Sequence, residues 1–402
     1  MTELYFLDRS LAVTAGPIDG FISLVWREQY DTCGTFTLVL PMNTELFSAA
    51  LTSDYLEVRG RGGLGRVEKV TFTGGENGGT MTVSGRMAES LLSDRIIPRG
   101  TVVSGNLCAA LGAVVHANAG AGAGERAIPC LTVRTPQELT DASGRILTVD
   151  DRVNGRALDE WLYEVLSAHE ASYRIVPDFA AGVLVFEIYR GLDRTQTQED
   201  NACAVFSASF SSAGEFDFLS DRSDARNFAY IAGEGEGDDR VVVTLDLRTD
   251  PNEPRRELYI DARDLRSDDG EVTLSAAEYR ELLLARGRQR LGGHKHVLTL
   301  GGSAAAYTEE DGGSGVTAAP AWGSALAPVG GRYASSMICG VHYALGDLCD
   351  IASETLGAVW SERVTAVTYI YEGTSVRVEP VFGAIYPDLR SFIRRHAAES
   401  RM

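Results

Sequence analysis

The sequence predicts an α+β protein that is rich in β-strands. Two distant segments, residues 18–41 and 345–383, show the period-two alternation of apolar and polar side chains that is typical of half-buried strands. Glycine-rich turns separate short strands between residues 4 and 95, and several stretches further along change to the helical period of about 3.6 residues. A chain of 402 residues, 44% of them hydrophobic, is long enough to divide into two or more domains.

Residues 1–90 are predicted to form a first β-rich domain. In the segment 18–41, Ile22, Leu24 and Trp26 alternate with residues of the opposite face, and a glycine turn leads into a second strand, which indicates a hairpin. Further short strands between glycine-rich turns are predicted at residues 55–58, 65–72 and 80–84.

Residues 91–195 are predicted to form an inserted α/β lobe. Apolar residues recur at the helical spacing in two stretches, and period-two strands follow them. The helices are predicted at residues 106–117 and 157–169, and the strands at residues 173–176 and 182–189. The stretch 117–124, rich in alanine and glycine, is predicted to be a mobile loop.

Residues 196–270 return to an acidic, β-rich pattern, with strands predicted at residues 205–210, 227–232 and 240–247. The segment 271–335 contains the clearest helix of the chain, in which Ser275 is the N-cap and Glu278 its capping-box partner. The elements predicted here are this helix, a strand and a long surface loop, at residues 275–292, 294–300 and 301–332.

The end of the chain predicts a β-meander at residues 336–388, followed by a short basic tail at residues 389–402. Two strands of the meander are expected on either side of the turn formed by Glu372, Gly373 and Thr374.

The charge of the chain limits the classes of function. There are 56 acidic and 37 basic side chains, giving a formal net charge of −19 at pH 7. This balance disfavours sequence-specific nucleic-acid binding and binding to anionic membranes, and no window approaches the length of a membrane span. Only Lys69 and Lys295 are lysines, so 37 − 2 = 35 basic residues are arginines, which suit bidentate ion pairs between subunits. A GC-rich genome explains this bias at least as well.

A run of alternating glycines and carboxylates, AGEGEGDDR, contains Glu234, Glu236, Asp238 and Asp239. A phosphate-binding loop needs backbone amides at a helix N-terminus and little negative charge, whereas four carboxylates occupy this loop and a predicted strand follows it. The turn chemistry of glycine therefore favours a solvated hairpin turn. The alternatives are an acidic loop that contacts another subunit or faces a lumen and, with less support, a cation site formed by Glu234, Glu236 and Asp238.

No catalytic or metal-binding motif is found in the sequence. The six cysteines are scattered without a CxxC pair, so neither a zinc knuckle nor a dense disulfide framework is predicted. His294 and His296 alternate on a predicted strand without a neighbouring acidic residue in the sequence, which disfavours a metal site. Because the GxSxG, HExxH and SxxK motifs are also missing, we expect neither an enzyme nor a bound cofactor.

Three stretches carry a pattern that occurs in the same order in a known group of proteins. They are DGFISLVWREQYDTCGTFTLVLP at residues 19–41, RNFAYIAGEGEGDDRVVV at residues 226–243, and LGDLCDI at residues 345–351 with ERVTAVTYIYEGTSVRVEPVFG at residues 362–383. This pattern resembles the tail-associated baseplate or tail-tip hub proteins of long-tailed phages (siphoviruses), whose fold is shared with the baseplate hubs of contractile phages.

The resemblance implies two β-barrel-like hub domains with α/β inserted lobes. Residues 1–90 would form the first hub domain, and residues 196–270 and 336–388 would build the second. It also implies a homotrimeric ring that joins the tail tube to the tip and provides a conduit for DNA ejection. The expected partners are the tail tube, distal tail proteins and other tail-tip or baseplate proteins, and the expected location is the virion, after assembly in the host cytoplasm.

The alternative hypothesis is a carbohydrate-binding adhesin of the tail tip that recognises the host surface. It also suits a β-rich chain with long loops. The four tryptophans, however, do not cluster in the sequence as a stacking platform; they are Trp26, Trp161, Trp322 and Trp360. A third possibility, a peptidoglycan hydrolase, has no residue-level support.

Overall fold

The computed structural model of the chain describes most of its residues. The described ranges are 2–75, 78–98, 100–134, 138–141, 144–207, 216–248, 250, 252–268, 273–302, 337–353, 357–373 and 375–383.

The N-terminal part of the chain contributes short antiparallel strands to two sheets. These strands are β1 (Leu4–Leu7), β2 (Val13–Ile18), β3 (Ser23–Gln29), β4 (Thr35–Pro41), β5 (Tyr55–Val58), β6 (Leu64–Arg66), β7 (Lys69–Gly75) and β8 (Gly78–Arg86). The predicted hairpin, β3–β4, and the strands predicted at residues 55–58 and 80–84 are confirmed. The single strand predicted at residues 65–72 is wrong, because β6 pairs with β5 in a sheet of order β2-β1-β5-β6, whereas β7 pairs with β8 in a larger sheet.

A helix that the sequence did not predict, α1 (Thr44–Thr52), follows β4. Asn43 caps it, since the Asn43 side chain accepts hydrogen bonds from the backbone N–H groups of Glu45 and Leu46 at 2.9 and 3.0 Å. Helices this short are marginal on their own, and α1 is stabilised by tertiary packing of Ala50, which is 1% exposed.

The larger sheet joins the two ends of the chain. Its later strands are β16 (Val205–Ser207), β17 (Phe216–Asp221), β21 (Val297–Gly302), β22 (Leu348–Ser353), β23 (Ala358–Glu372) and β24 (Ser375–Gly383). The order is β17-β21-β24-β23-β3-β4-β8-β7, and β22 pairs with both β23 and β16. The two segments singled out in the sequence therefore lie side by side, with Trp26 in register with Tyr369. The described strands form an open sheet and close no barrel.

The middle of the chain forms the α/β lobe. Its elements are β9 (Ile96–Ile97), β10 (Thr101–Asn106), α2 (Leu107–Asn118), β11 (Leu131–Val133), β12 (Thr148–Val153), β13 (Arg156–Ala157), α3 (Leu158–Ala168), β14 (Ser172–Asp178) and β15 (Val183–Tyr189). Both predicted helices and both predicted strands are confirmed. The loop expected at residues 117–124 is instead partly helical, because α2 continues to Asn118 and a 3₁₀ helix, Ala121–Arg126, follows.

A small third unit packs a three-stranded sheet against one helix. It consists of β18 (Phe228–Ala232), β19 (Val242–Asp246), β20 (Glu257–Asp261) and α4 (Ala276–Gly292), with β18 between the other two strands. The predicted capping box is confirmed, since the side chains of Ser275 and Glu278 each accept a hydrogen bond from the other's backbone N–H. The strand expected at residues 294–300 begins later, at Val297.

Each part has its own hydrophobic core. Trp26, Phe36 and Phe382 are buried in the core of the large sheet, and Trp161 and Leu162 in the core of the lobe. The four-stranded sheet contributes residues to both of these cores and so lies between them.

Some predictions fall outside the described residues. These are the end of the strand at 205–210, the loop at 301–332 from residue 303 onward, the tail at 389–402, and Trp322. None of the helices in the described ranges combines the length and apolar character needed to cross a bilayer.

We predict that Gly191→Ala destabilises the protein, because a Cβ at this position would overlap the backbone of Gly346 and Asp347. Backbone atoms cannot move aside as a side chain does, so we expect the free energy of unfolding to fall by about 3 kcal/mol, measured by denaturant titration. The control is Gly20→Ala, since Gly20 is exposed and an added Cβ meets nothing within 4 Å. An unchanged Gly191→Ala protein would contradict this close backbone contact.

Candidate assembly surfaces

The four acidic residues singled out in the sequence lie in the turn between β18 and β19, which we call the acidic turn (residues 233–240). Two backbone hydrogen bonds close the turn as a hairpin. The Gly233 N–H donates to the Val241 carbonyl at 2.8 Å, and the Val241 N–H donates to the Glu234 carbonyl at 2.9 Å. Three of the four acidic side chains are exposed and Glu234 is half-buried. A one-turn 3₁₀ helix, Gly237–Asp239, lies within the turn and a strand follows it, so the turn leads into no α-helix whose N-terminus could bind a phosphate.

The base of the acidic turn is held rigidly by Tyr279 and Arg240. The Tyr279 hydroxyl accepts a hydrogen bond from the Glu234 N–H at 2.8 Å and donates to the Leu265 carbonyl at 2.8 Å. Arg240 donates to the Gly233 carbonyl at 3.1 Å and from Nη2 to an Asp261 carboxylate oxygen at 2.6 Å. The exposed carboxylates are therefore presented on a fixed support.

Glycine is required within the turn at Gly235. Its φ is +96°, and an added Cβ would lie 2.5 Å from the carbonyl oxygen of Asp239. This geometry explains one of the alternating glycines as a backbone requirement of the turn.

The histidines serve structural contacts in the part of the chain that the structure describes. His294 Nδ1 lies 3.0 Å from an Asp224 carboxylate oxygen, and His342 Nδ1 accepts from the Ile338 N–H at 2.9 Å. His296 Nε2 lies 2.9 Å from the Ser220 hydroxyl. Contrary to the sequence prediction, His294 and His296 precede β21 and have different partners. Across the described ranges, no three His, Cys, Asp or Glu side chains are arranged to hold a metal ion.

One end of the large sheet is an edge with exposed apolar side chains. β7 is the last strand of the sheet, and within the described residues nothing pairs with its outer side. α1 packs against both β7 and β2, and the Thr14 and Ser53 hydroxyls, 2.7 Å apart, connect α1 to β2. Exposed apolar side chains occur on all three elements, and we call them the edge surface: Val13 (55% exposed), Leu51 (60%) and Phe72 (51%). An open edge of this kind can pair with a strand of another chain.

Asp347 fixes the C-terminal meander to the segment that follows the lobe. Its side chain is 3% exposed and accepts hydrogen bonds from Arg194 Nε at 2.6 Å, the Leu192 N–H at 2.7 Å and the Ala344 N–H at 2.9 Å. Three donors compensate for removing this carboxylate from water.

Arg286 fixes the third unit to the lobe. It lies on α4, its side chain is 8% exposed, and its guanidinium contacts Asp151 of β12 at 3.1 Å and Asp264 at 3.0 Å. Asp151 also accepts a hydrogen bond from Trp161 Nε1 at 2.9 Å, inside the lobe core. Removing Arg286 would deprive the buried Asp151 carboxylate of this ion pair, so the Arg286–Asp151 contact holds the two units in a defined orientation.

Glu89 lies between the N-terminal sheets and the lobe. It belongs to a 3₁₀ helix, Ala88–Asp94, and its Oε1 accepts a hydrogen bond from the Ile175 N–H of β14 at 3.0 Å. Burial raises the pKa of Glu89 to about 7, although the hydrogen bond from Ile175 acts in the opposite direction.

Comparison with known proteins identifies one family and several solved structures with a similar fold. A protein-family model described as Siphovirus ReqiPepy6 Gp37-like protein matches residues 3–384. A search of curated proteins returns no match.

Among solved structures, the chain is similar to the tail protein from Neisseria meningitidis MC58, with a TM-score of 0.50, 11% identity, and coverage of 95% of this chain and 96% of that chain. It is also similar to the prophage tail protein gp18 from Listeria monocytogenes EGD-e, with a TM-score of 0.50, 11% identity and coverage of 100% of both chains. At such low identity the similarity concerns the fold.

We predict that Glu89 makes stability depend on pH. Its pKa is raised in the folded state, so between the ordinary value of 4.5 and about 7 the folded chain keeps a proton that the unfolded chain loses. The free energy of unfolding should therefore fall by about 3 kcal/mol as pH rises through this interval, and remain level above it. In Glu89→Gln this part of the pH dependence should disappear, as measured by denaturant titration from pH 4.5 to 8.

Glu160→Gln is the matched control, since Glu160 is exposed on α3. It should keep the wild-type pH dependence. A Glu89→Gln protein with the wild-type profile would show that another group titrates.

Proposed function

Because the chain belongs to the Siphovirus ReqiPepy6 Gp37-like protein family, we propose that it is a structural protein of a phage tail, acting as a trimeric ring at the tail tip or baseplate. The family match over residues 3–384 carries this proposal, and it accords with the resemblance already visible in the sequence. The fold shared with two tail proteins supports it. The activity is geometric rather than catalytic: the ring joins the tail tube to the tip.

Ring formation would cover the open edge of the large sheet. In a monomer the edge surface exposes the backbone of β7 together with Val13, Leu51 and Phe72. A neighbouring copy that packs there removes this apolar surface from water, which stabilises the assembly. Under this proposal each chain supplies two barrel-like hub domains, so that three chains place six such domains around the tube.

The negative net charge of the chain supports the proposed conduit for DNA. Three chains carry a formal charge of 3 × −19 = −57 at pH 7. Wherever this charge faces the lumen, it repels the DNA backbone and keeps the DNA from adhering during ejection.

The proposed partners are the tail tube, distal tail proteins and other tail-tip or baseplate proteins. The acidic turn or the segment 301–332 is proposed to contact another tail component. The protein would be assembled in the host cytoplasm and remain in the virion.

The carbohydrate-binding alternative gains no support from the described tryptophans. Trp26 and Trp161 are fully buried and Trp360 is half-buried, so none of these three rings is exposed as a platform for sugar stacking.

The mass and symmetry of the purified protein test the ring. We expect a particle of about 130 kDa, three times the chain mass of 43.3 kDa, by light scattering, and threefold rings by negative-stain electron microscopy. A monodisperse monomer at every concentration would contradict the proposal.

The variant Phe72→Glu tests the edge surface. A carboxylate placed where Phe72 is 51% exposed would have to be desolvated in the interface, so we expect the dissociation constant of the assembly to rise at least about tenfold. The matched control is Val359→Glu, which places the same charge at a site 61% exposed on another part of the sheet. Equal effects of both variants would argue against an interface at β7.

A further inference from the structure

A basic pocket lies at the beginning of β18, at the end opposite to the acidic turn. Its volume is about 370 Å³. The side chains that determine its charge come from three separate segments of the chain: Arg222, Arg226, Arg256, His296 and Glu253.

The positive charge of this pocket is only partly neutralised. Arg256 donates a hydrogen bond to the carbonyl of Arg222, which places the two arginines together. Within the described ranges, neither of them has a carboxylate within ion-pair distance. Glu253, the carboxylate of the pocket, instead accepts a hydrogen bond from the Asn227 side chain at 3.0 Å.

The arginines of the pocket also act on its histidine. Burial, together with the charges of Arg222 and Arg256, lowers the pKa of His296, and Asp221 opposes this effect. The Arg222 Nε lies 3.4 Å from His296 Nε2, a geometry in which the neutral ring accepts the hydrogen bond. Arg226 has Asp224 at 3.7 Å. Two guanidiniums of the pocket thus remain available for an anion.

The acidic turn and the basic pocket lie at opposite ends of β18 within one chain. Asn227 precedes β18 and the acidic turn follows it, so at about 3.3 Å per residue they are separated by roughly 20 Å. The contacts of Tyr279 and Arg240 hold the base of the turn at its own end of β18.

We propose that the basic pocket of one copy receives the acidic turn of a neighbouring copy, with Glu236, Asp238 and Asp239 pairing with Arg222 and Arg256. Two complementary patches at opposite ends of one unit make a head-to-tail contact, which closes into a ring when the rotation fits. Guanidinium groups suit this contact, because their planar fork binds a carboxylate through two hydrogen bonds. The inference presupposes the proposed ring and names a contact within it.

Charge reversal on each side tests the contact in the full-length protein. One variant combines Glu236→Arg, Asp238→Arg and Asp239→Arg, and another combines Arg222→Glu and Arg256→Glu. Each places like charges in the interface, so we expect the dissociation constant of the ring to rise at least about tenfold, measured by mass photometry. The control for the arginine variant is Arg280→Glu with Arg288→Glu, which makes the same change of charge at two exposed positions of α4. Circular dichroism confirms that each variant is folded.

Restoration provides the sharper test. A chain that carries both sets of reversals again has complementary ends and should recover the ring. A 1:1 mixture of the two single-sided variants should associate only by alternation, so any closed ring should contain an even number of chains and no closed ring of three should form.

The outcomes separate this inference from the proposed function. If the wild-type protein forms a ring and neither reversal weakens it, the proposed contact is wrong and the ring stands. The same holds if a reversal weakens the ring and the combined variant fails to restore it. A wild-type protein that stays monomeric at all concentrations would overturn both.

Discussion

The pairing of β3 with β23 is the constraint on which the molecule depends. These strands pair over seven residues, from Ser23 with Glu372 to Gln29 with Ala366, and they connect a sheet from the beginning of the chain to one from its end. Without this pairing, the β4-β8-β7 and β24-β21-β17 halves would each gain an open edge. The α/β lobe and the third unit both lie between β3 and β23 in the sequence. The buried contacts of Asp347 and Arg286 then orient these parts relative to their neighbours.

Patterns within short windows predicted the local structure well. Helices α2 and α3 follow apolar spacing, and the capping box of Ser275 and Glu278 predicted α4. By contrast, α1 is nine residues long and depends on packing that its own sequence does not reveal. The sequence also gives no local sign that β6 and β7 belong to different sheets, because side chains alternate with a period of two in any strand. Only the family resemblance predicted that strands from the two ends of the chain belong together.

The two charged surfaces differed in how visible they were in the sequence. The acidic turn is contiguous, so alternating glycines and carboxylates predicted a hairpin turn directly. The basic pocket takes its arginines from residues 222–226 and 256, where acidic residues are interspersed, and its histidine from residue 296. The local net charge of the sequence does not reveal such a site, because neighbouring acidic residues cancel the arginines. Only the fold brings Arg222 and Arg256 together. The abundance of arginine over lysine was the one available signal.

The position of β23 also has a consequence for protein synthesis. The ribosome completes β3 early, but the strand that pairs with it is encoded roughly 330 residues later. At typical elongation rates of about 5–20 residues per second, the nascent hairpin waits on the order of 20 to 60 s for its neighbour. During this time Trp26, fully buried in the finished sheet, lacks part of its cover, and nascent chains on neighbouring ribosomes expose identical edges. Chaperone binding to the nascent chain would protect this edge until the last strands emerge.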